Sequence, residues 1–399
     1  MLKSGSKNFR FSKKTFTVLA STVLLVACST TPPQPEEETY TEVRFQKTTF
    51  DAFENIAPQD WTQALISFKR SCNAMKNKTI WKNVCSIANV TDNENAKSFF
   101  RTNFVPWQMY KATVGKESKK EYSQDETGLM TGYYEPLLHA NRSPSVKNNV
   151  PILSTPDDLI IVDLASLYPK LKGMRLRGKL EGRRLVPYDD RAGIIKRTDL
   201  NSYAIAWSDD PVGVFFLQIQ GSGRLQLDDG DVIRVGYDDQ NGHPYKAVGS
   251  WLVQKGYLKR NQLSMQNIKK WARENPDRLN ELLNQNPSFV FFKSRPVTDA
   301  EEGPIGAQGI PLTPEASVAV DRRHIPLGVP LVVQAEQTNP PLKFMKPVVA
   351  QDTGGAINGP LRFDFFWGFG DEAGQKAGRQ KSDVSAWLLL PPSVNPQDL

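Results

Sequence analysis

The sequence predicts a mainly β (α+β) fold, and two stretches of the chain carry that prediction. In residues 317–390, short runs rich in Val, Ile and Phe alternate with Gly and Pro. Strands spaced in this way, with no long helices between them, indicate a small closed barrel. Residues 204–248 hold a second set of such runs, with hairpin signals Asp-Gly at 229–230 and Asn-Gly at 241–242, which predicts an antiparallel meander. With 399 residues, 20 Phe and 8 Trp, the chain is long and apolar enough for two cores.

The N-terminus has the pattern of a targeting segment rather than of a folded element. Five cations precede an apolar run over residues 16–26, which is too short to span a bilayer. The run ends in Leu25-Val26-Ala27-Cys28, which resembles a bacterial lipobox. We therefore expect residues 1–27 to be a lipoprotein signal peptide and Cys28 to be acylated. Ser29, rather than Asp, favours the outer membrane, with the protein facing the periplasm. An ordinary signal peptide with a chance Cys is the alternative.

Removal of a signal peptide would change the net charge of the protein. All five cations before Cys28 would be removed with no acid, so the formal net charge falls from +7 to +2. The basic balance of the whole chain therefore gives no reason to expect nucleic-acid binding. Pro and Glu dominate the residues that follow Cys28, which predicts a tether over residues 28–45.

The remaining cysteines and the histidines indicate whether a disulfide or a metal site is to be expected. With Cys28 acylated, Cys72 and Cys85 are left, and in an oxidising periplasm we expect them to form a disulfide. Two buried thiols are the alternative. The chain has three His, at 139, 243 and 324, and none has metal-ligand spacing, so no metal and no cofactor is expected.

Element by element, the chain begins helical and becomes β-rich. Trp61, Leu65 and Phe68 recur at helical spacing, as do Phe99, Phe100 and Phe104. The predicted strands are 129–134, 151–153, 159–162 (or a short helix opening there), 185–188, 214–220, 224–227, 232–235, 289–292, 317–320, 329–333, 347–350, 363–367 and 385–390. Two helices interrupt them, at 265–273 and 279–283, and the second has start signals in Asn275 and Pro276.

Three aspartates in the last third are the candidates for chemistry. Asp321 follows the apolar run 318–320, Asp352 opens Thr353-Gly354-Gly355, and Asp364 lies between aromatic residues. A carboxyl group in an apolar setting has a raised pKa, as a general acid requires. Asp321 and Asp352 are more typical of turn caps, whereas the setting of Asp364 favours a functional role. Aromatic side chains beside carboxylates also suit a sugar, which presents an apolar C–H face.

Several motifs together resemble one family. They are Thr131-Gly132-Tyr133-Tyr134-Glu135-Pro136, Asp210-Pro211 with 215–223, Asn286-Pro287 with 288–292, 321–328, 351–357, and Asp364 with 366–370. In this order they are similar to the membrane-bound lytic murein transglycosylase A family, with its C-terminal three-aspartate domain. The resemblance covers about residues 100–392. One departure is Pro314-Glu315-Ala316-Ser317, where the family usually has an Arg-Ser pair.

The resemblance implies a fold and a set of site residues. It implies a double-psi β-barrel built from 46–145 and 297–399, with a second, barrel-like β domain (146–296) inserted, peripheral helices, and a glycan groove between the two. Asp364 matches the family's single catalytic acid/base, and Asp352 and Asp321 match aspartates that support it. We expect substrate contacts from Tyr134, Glu135, Gln220, Ser222 and Phe366. For Tyr133, Tyr134 and Glu135, a place in the groove wall and an ordinary place in a strand are equal alternatives. The glycines around Ser222 fit a hairpin or a close approach to substrate.

The implied activity is cleavage of the MurNAc–GlcNAc bond of peptidoglycan without water, which leaves 1,6-anhydroMurNAc ends. The implied partners are glycan strands, outer-membrane lipid through Cys28, and complexes that synthesise the cell wall. Two alternatives remain: a hydrolytic muramidase that uses Asp364 with a second carboxylate, and a non-catalytic protein that binds peptidoglycan.

Overall fold

The computed structural model describes residues 38–171, 173–297 and 302–399. The predicted signal peptide, Cys28 and the tether up to residue 37 lie outside the described residues. Within the part that is described, no helix has the length and apolar character needed to cross a membrane.

The helices cluster in three places along the chain. They are α1 (Pro58–Met75), α2 (Thr79–Val90), α3 (Ala96–Asn103), α4 (Arg191–Ile194), α5 (Pro211–Gln220), α6 (Val248–Gln254), α7 (Met265–Glu274), α8 (Leu279–Leu283) and α9 (Gly370–Arg379). Short 3-10 turns lie at Phe50–Phe53, Asn93–Asn95, Pro169–Leu171, Leu200–Ser202, Arg260–Gln262, Pro276–Arg278 and Pro396–Asp398.

The strands make up most of the remaining regular structure. They are β1 (Thr39–Lys47), β2 (Val105–Gly115), β3 (Glu121–Asp125), β4 (Gly128–Glu135), β5 (Leu137–Ala140), β6 (Val150–Leu153), β7 (Ile160–Ile161), β8 (Arg177–Glu181), β9 (Arg184–Pro187), β10 (Ala204–Ser208), β11 (Ser222–Leu227), β12 (Val232–Gln240), β13 (Val290–Pro296), β14 (Ser317–Ala319), β15 (Pro330–Gln337), β16 (Leu342–Asp352), β17 (Arg362–Phe369) and β18 (Lys381–Leu390).

Six of these strands close into a barrel. Around it the order is β18, β15, β16, β14, β17 and β4, and β4 pairs with β18 again. The pairs β14–β16 and β4–β17 are parallel, and the other four are antiparallel. Five of the strands come from the last third of the chain and one from the TGYYEP motif. The closed barrel that the sequence predicted is therefore confirmed.

Helices α1 to α3 pack on the barrel and share its core. Trp61, Leu65 and Phe68 of α1 are fully buried, and Phe99, Phe100 and Phe104 lie against Phe68. The helical spacing seen in the sequence therefore corresponds to one buried stripe. Cys72 of α1 and Cys85 of α2 form a disulfide, which joins the two helices.

Between β4 and the last third, the chain builds a second unit, which we call the insert. Its four-stranded sheet has the order β13-β12-β11-β5, and two smaller sheets pair β6 with β10 and join β7, β8 and β9. Helix α5 packs on the larger sheet, and its Leu217 lies in one core with Leu225, Val235 and Phe292. The insert thus has a hydrophobic core of its own.

One predicted strand is wrong: residues 214–220 belong to helix α5. The Asp210 carboxylate caps this helix by accepting from the Gly213 N–H at 2.8 Å, and Pro211 occupies its first turn. The helix ends at Gly221, which adopts φ +77°. Since the helix is buried on nearly all sides, its apolar run carries no helical periodicity and reads as a buried strand.

Two predicted boundaries also shift. β1 begins at Thr39, inside the predicted tether, because the alternating residues from Thr39 to Lys47 pair with β2 along its length. β5 pairs with β11 of the insert, so the chain leaves the barrel near Pro136 rather than at residue 145.

Candidate active site

Strand pairing brings two of the three aspartates into one row across the barrel. Ala319 of β14 lies opposite Asp352 of β16 on one side and opposite Asp364 of β17 on the other. Asp364 in turn lies opposite Thr131 of β4. Because neighbouring strands are about 4.8 Å apart, the two aspartate backbones are separated by about 10 Å.

Asp364 is a half-buried carboxyl group held by one hydroxyl. The Thr131 hydroxyl donates to Asp364 Oδ1 at 2.6 Å, and Arg362 Nη2 donates to Thr131 Oγ1 at 3.0 Å. The arginine therefore directs the single proton of Thr131 towards the aspartate. Burial raises the pKa of Asp364 to about 6, against the opposing effects of the Thr131 bond and the Arg362 charge. The carboxyl group can thus hold or release a proton close to neutral pH.

The Thr131 bond makes a testable contribution to this pKa. A hydrogen bond to an ionised carboxylate stabilises the charged form by about 1.5–3 kcal/mol, and 1.36 kcal/mol corresponds to one pKa unit. We expect Thr131→Val to raise the pKa of Asp364 by about one unit, as measured by ¹³C NMR titration of the labelled carboxyl carbon. Thr113→Val in β2 is the matched control and should leave this pKa unchanged. A pKa that stays the same in Thr131→Val would contradict the contact.

Asp352 has a different environment, because both of its oxygens are occupied. The Tyr133 hydroxyl donates to Oδ2 at 3.0 Å, and the Ala307 N–H donates to Oδ1 at 2.9 Å. Burial raises the pKa of Asp352, and these bonds oppose that rise. Burial and the two nearby aspartates also hold the pKa of Tyr133 well above its usual value. Tyr133 therefore stays protonated and orients Asp352, whose neighbouring charge helps to raise the pKa of Asp364.

Asp321 is a structural anchor. Its carboxylate accepts from the Arg323 side chain and from the Gly359 N–H at 2.8 Å, which ties the loop after β14 to the loop before β17. Mainly because of the bond to Arg323, the pKa of Asp321 lies well below its usual range. Asp321 is therefore ionised and cannot donate a proton near neutral pH. His324 lies beside it, with Nε2 at 4.0 Å from Asp321 Oδ2.

The expected substrate contacts divide into two groups. The side chains of Glu135 and Phe366 are fully buried in this structure. Phe366 packs against the Tyr133 ring, with centroids 5.2 Å apart, and so supports the site from behind. The other three residues lie where β4 meets the insert. Tyr134 donates its backbone N–H to the half-buried Gln220 side chain at 3.0 Å, and Ser222 begins β11, with Gly221 alone between it and α5.

Glu135 lies at the centre of a buried ionic cluster between the barrel and the insert. Arg234 Nε donates to Oε1 at 2.7 Å and Arg224 Nε donates to Oε2 at 2.9 Å. Both guanidinium groups also donate to the Glu302 carbonyl, at 2.6 Å from Arg234 and 3.2 Å from Arg224. Arg224 lies over the Phe369 ring, 4.0 Å from its centroid. The last residue of β4 is thus fixed to strands β11 and β12 of the insert.

Three residues of the site were not singled out by the sequence pattern: Thr131, Tyr133 as a partner of Asp352, and Arg362. Thr131 begins the motif that ends at Pro136, and Arg362 lies two residues before Asp364. Their contacts cross between β4 and the C-terminal strands, and only the parallel register of β4 and β17 reveals them. Across residues 38–171, 173–297 and 302–399, no group of three or more His, Cys, Asp or Glu has the arrangement of a metal site.

Comparisons with known proteins agree with this architecture. The MltA specific insert domain matches residues 129–293, and the 3D domain matches residues 316–390. The crystal structure of MltA from Neisseria gonorrhoeae (monoclinic form) superposes with a TM-score of 0.75 at 37% identity, over 91% of this chain and 97% of that one.

Two Escherichia coli proteins are also similar. E. coli MltA with bound chitohexaose superposes with a TM-score of 0.62 at 27% identity, over 84% of this chain and 90% of that one. Membrane-bound lytic murein transglycosylase A of strain K12 is 33% identical over 266 residues, 65% of this chain and 64% of that protein. The matched segment thus spans just under two thirds of that relative. Because the gonococcal structure is covered almost end to end, with both domains in order, the chain belongs to the membrane-bound lytic murein transglycosylase A (MltA) family.

Proposed function

We propose that this protein is a lytic transglycosylase that cleaves the MurNAc–GlcNAc β-1,4 bond of peptidoglycan without water. The observation that carries the proposal is the contrast between the aspartates. Asp364 has a pKa raised to about 6, Asp321 is held ionised, and both oxygens of Asp352 are occupied by donors. Among the three aspartates, Asp364 alone combines a raised pKa with a carboxylate oxygen that no donor of the described residues occupies. The E. coli MltA structure with bound chitohexaose, a β-1,4 chain of GlcNAc, supports a glycan substrate.

The reaction needs one group that first gives and then takes a proton. Protonated Asp364 donates to the glycosidic oxygen, the bond to C1 of MurNAc breaks, and an oxocarbenium-like transition state forms. The resulting Asp364 carboxylate then accepts the proton of the MurNAc C6 hydroxyl, whose oxygen bonds to C1. The products are a GlcNAc end with a free hydroxyl and a 1,6-anhydroMurNAc end. One carboxylate suffices because the attacking hydroxyl belongs to the substrate and has a high effective molarity.

The neighbours of Asp364 suit this double role. Thr131 donates to Oδ1, which leaves Oδ2 as the oxygen that carries the mobile proton. When Asp364 becomes a carboxylate, the Thr131 bond and the Arg362 charge stabilise it. The same contacts keep its pKa from rising further, so the carboxylate forms readily after the first transfer.

Mass spectrometry of digested murein tests the proposal. We expect muropeptides that end in 1,6-anhydroMurNAc, which lack the mass of one water relative to hydrolytic products. Reducing-end products with the added water would instead indicate a hydrolytic muramidase with a second carboxylate. Binding of murein with no release of soluble fragments would indicate a non-catalytic binding protein. A crystal structure of an Asp364→Asn variant with a glycan oligomer would show whether the strand lies between the barrel and the insert.

The raised pKa of Asp364 predicts the pH dependence. The acid must be protonated in the free enzyme, and the protonated fraction falls as pH rises through about 6. We expect kcat/KM for murein solubilisation to fall about tenfold per pH unit well above that value. Binding of the Asp364→Asn variant to murein over the same range is the control and should stay constant. A flat kcat/KM between pH 6 and 8 would contradict the assigned role.

We further propose that Cys28 is acylated and anchors the protein to the outer membrane, facing the periplasm. The lipobox-like sequence supports this location, as does the name of the E. coli relative, a membrane-bound enzyme. Labelling of cells with a palmitate analogue should mark the wild-type protein but not a Cys28→Ser variant. Label retained in Cys28→Ser would refute the assignment. Association with cell-wall synthesis enzymes is a further expectation, which crosslinking in intact cells would test.

A further inference from the structure

One part of the insert combines exposed apolar and cationic side chains in a way that its own packing does not explain. It consists of residues 160–171 and 173–187, which hold the sheet β7-β8-β9, and we call it the insert lobe. Seven of its apolar side chains are between 44% and 70% exposed: Ile161, Leu164, Leu167, Tyr168, Met174, Leu180 and Leu185. Single exposed apolar residues are ordinary, but a group of this size on a small segment indicates an interaction surface.

The sheet of the lobe has one attached face and one free face. Arg177 and Lys179 of β8 point to the body of the insert, where they bind Asp239 and Asp189 at 2.9 Å and 2.8 Å. Because side chains alternate along a strand, Leu180 points the other way, and its cross-strand partner Leu185 shares that face. The two leucines are therefore held side by side on the outer face by a sheet that is fixed from behind.

The insert lobe also carries an excess of positive charge. Residues 160–171 and 173–187 contain six Lys or Arg and two acids. Lys170, Arg183 and Arg184 are exposed, and each lacks a carboxylate partner among the residues that the structure describes. Free cations beside exposed Leu, Met and Tyr are typical of a segment that rests in the headgroup region of a membrane.

We propose that the insert lobe binds the surface of an anionic bilayer. Lipid phosphates would pair with Lys170, Arg183 and Arg184, and the apolar side chains would enter the boundary between headgroups and acyl chains. A partner that offered carboxylates alone, such as a peptide in the cell wall, would leave the leucines in water. The lobe would give a protein that is tethered at its N-terminus a second contact, and so fix how the insert faces the membrane.

Vesicle sedimentation tests this surface. The mature chain from residue 28 onward carries Cys28→Ser, so that neither the signal peptide nor an acyl group can anchor it. The vesicles are phosphatidylglycerol with phosphatidylethanolamine, or phosphatidylcholine alone. A basic residue near an anionic surface contributes about 1 kcal/mol, or about fivefold in partitioning. We expect Arg183→Gln with Arg184→Gln to lower partitioning about 30-fold on the anionic vesicles. Lys78→Gln with Lys82→Gln, two exposed cations at α2, is the matched control and should change it little.

A fluorophore gives a second readout that does not depend on charge. In the Cys28→Ser background, an environment-sensitive dye is attached to Leu167→Cys or, as control, to Val90→Cys in α2, where the native side chain is 82% exposed. Emission should shift to the blue on anionic vesicles only at residue 167. Equal partitioning of lobe and control variants, or equal emission at both labels, would overturn the proposal. A dimer in sedimentation velocity that Leu180→Ser with Leu185→Ser dissociates would also overturn it, in favour of a second copy of the chain.

Discussion

We expect Asp364→Asn to lower the rate of murein solubilisation by about 10³–10⁴-fold, the contribution typical of a positioned general acid. Asparagine keeps the shape of the side chain and its place opposite Thr131, but it can neither donate the first proton nor accept the second. No other aspartate in the row can replace it, since Asp352 is engaged through both oxygens. The measurement is release of soluble muropeptides from purified sacculi, with binding to sacculi followed in parallel.

The matched control is Asp383→Asn, the same change on the exposed side of β18 in the same barrel. It should retain wild-type activity.

The stability of Asp364→Asn distinguishes the loss of a proton carrier from damage to the fold. The folded-state pKa of Asp364 lies near 6 and its unfolded value near 3.9, so ionisation of this group makes the wild type less stable as pH rises through that window. Asp364→Asn removes that effect and should unfold no earlier than the wild type at pH 7.5. An active Asp364→Asn enzyme would refute the mechanism.

The sequence singled out Asp364 on a partly wrong physical picture of its surroundings. The sequence neighbours Phe363 and Phe365 suggested the apolar setting, but side chains alternate along a strand, and these two point into the barrel core. Asp364 shares its face with Phe366, and the parallel register adds Thr131 and Tyr133 from β4. The hydrogen-bond donor to its carboxyl group therefore comes from a strand more than 200 residues away in sequence. Local pattern alone could not show that contact.

Helix α5 and Glu135 show two further limits of the sequence. The start and stop signals of α5, Asp210-Pro211 and Gly221, were present, but Val, Phe and Ile in the run are also the residues that strands prefer. The barrel strands were predictable because one buried run after another alternated with turn residues. Glu135 stands beside two tyrosines in its motif, which suggested a place in a groove. The residues that bury it, Arg224 and Arg234, lie 89 and 99 residues further along the chain.

The buried cluster around Glu135 predicts the largest effect on stability. Replacing Glu135 with Ala leaves two guanidinium groups between the barrel and the insert, each with a side chain about 11% exposed and no carboxylate partner. Removing one partner of a buried ion pair costs about 3–5 kcal/mol of stability, because the remaining charge stays desolvated. We expect a loss of this size in the free energy of unfolding, measured in urea with two spectroscopic probes so that separate unfolding of the two units would be seen.

A surface ion pair of the same insert supplies the control. Arg142 binds Asp229 at 2.8 Å, but both side chains are about half exposed, so Asp229→Ala should cost at most about 1 kcal/mol. Glu135→Gln keeps hydrogen-bond acceptance at one oxygen while removing the charge, and should fall between the two. Because Glu135 ends the strand that carries Thr131 and lies opposite Phe369 of β17, its loss should also loosen the insert against the barrel. If Glu135→Ala were no less stable than Asp229→Ala, the cluster would not be what holds the two units together.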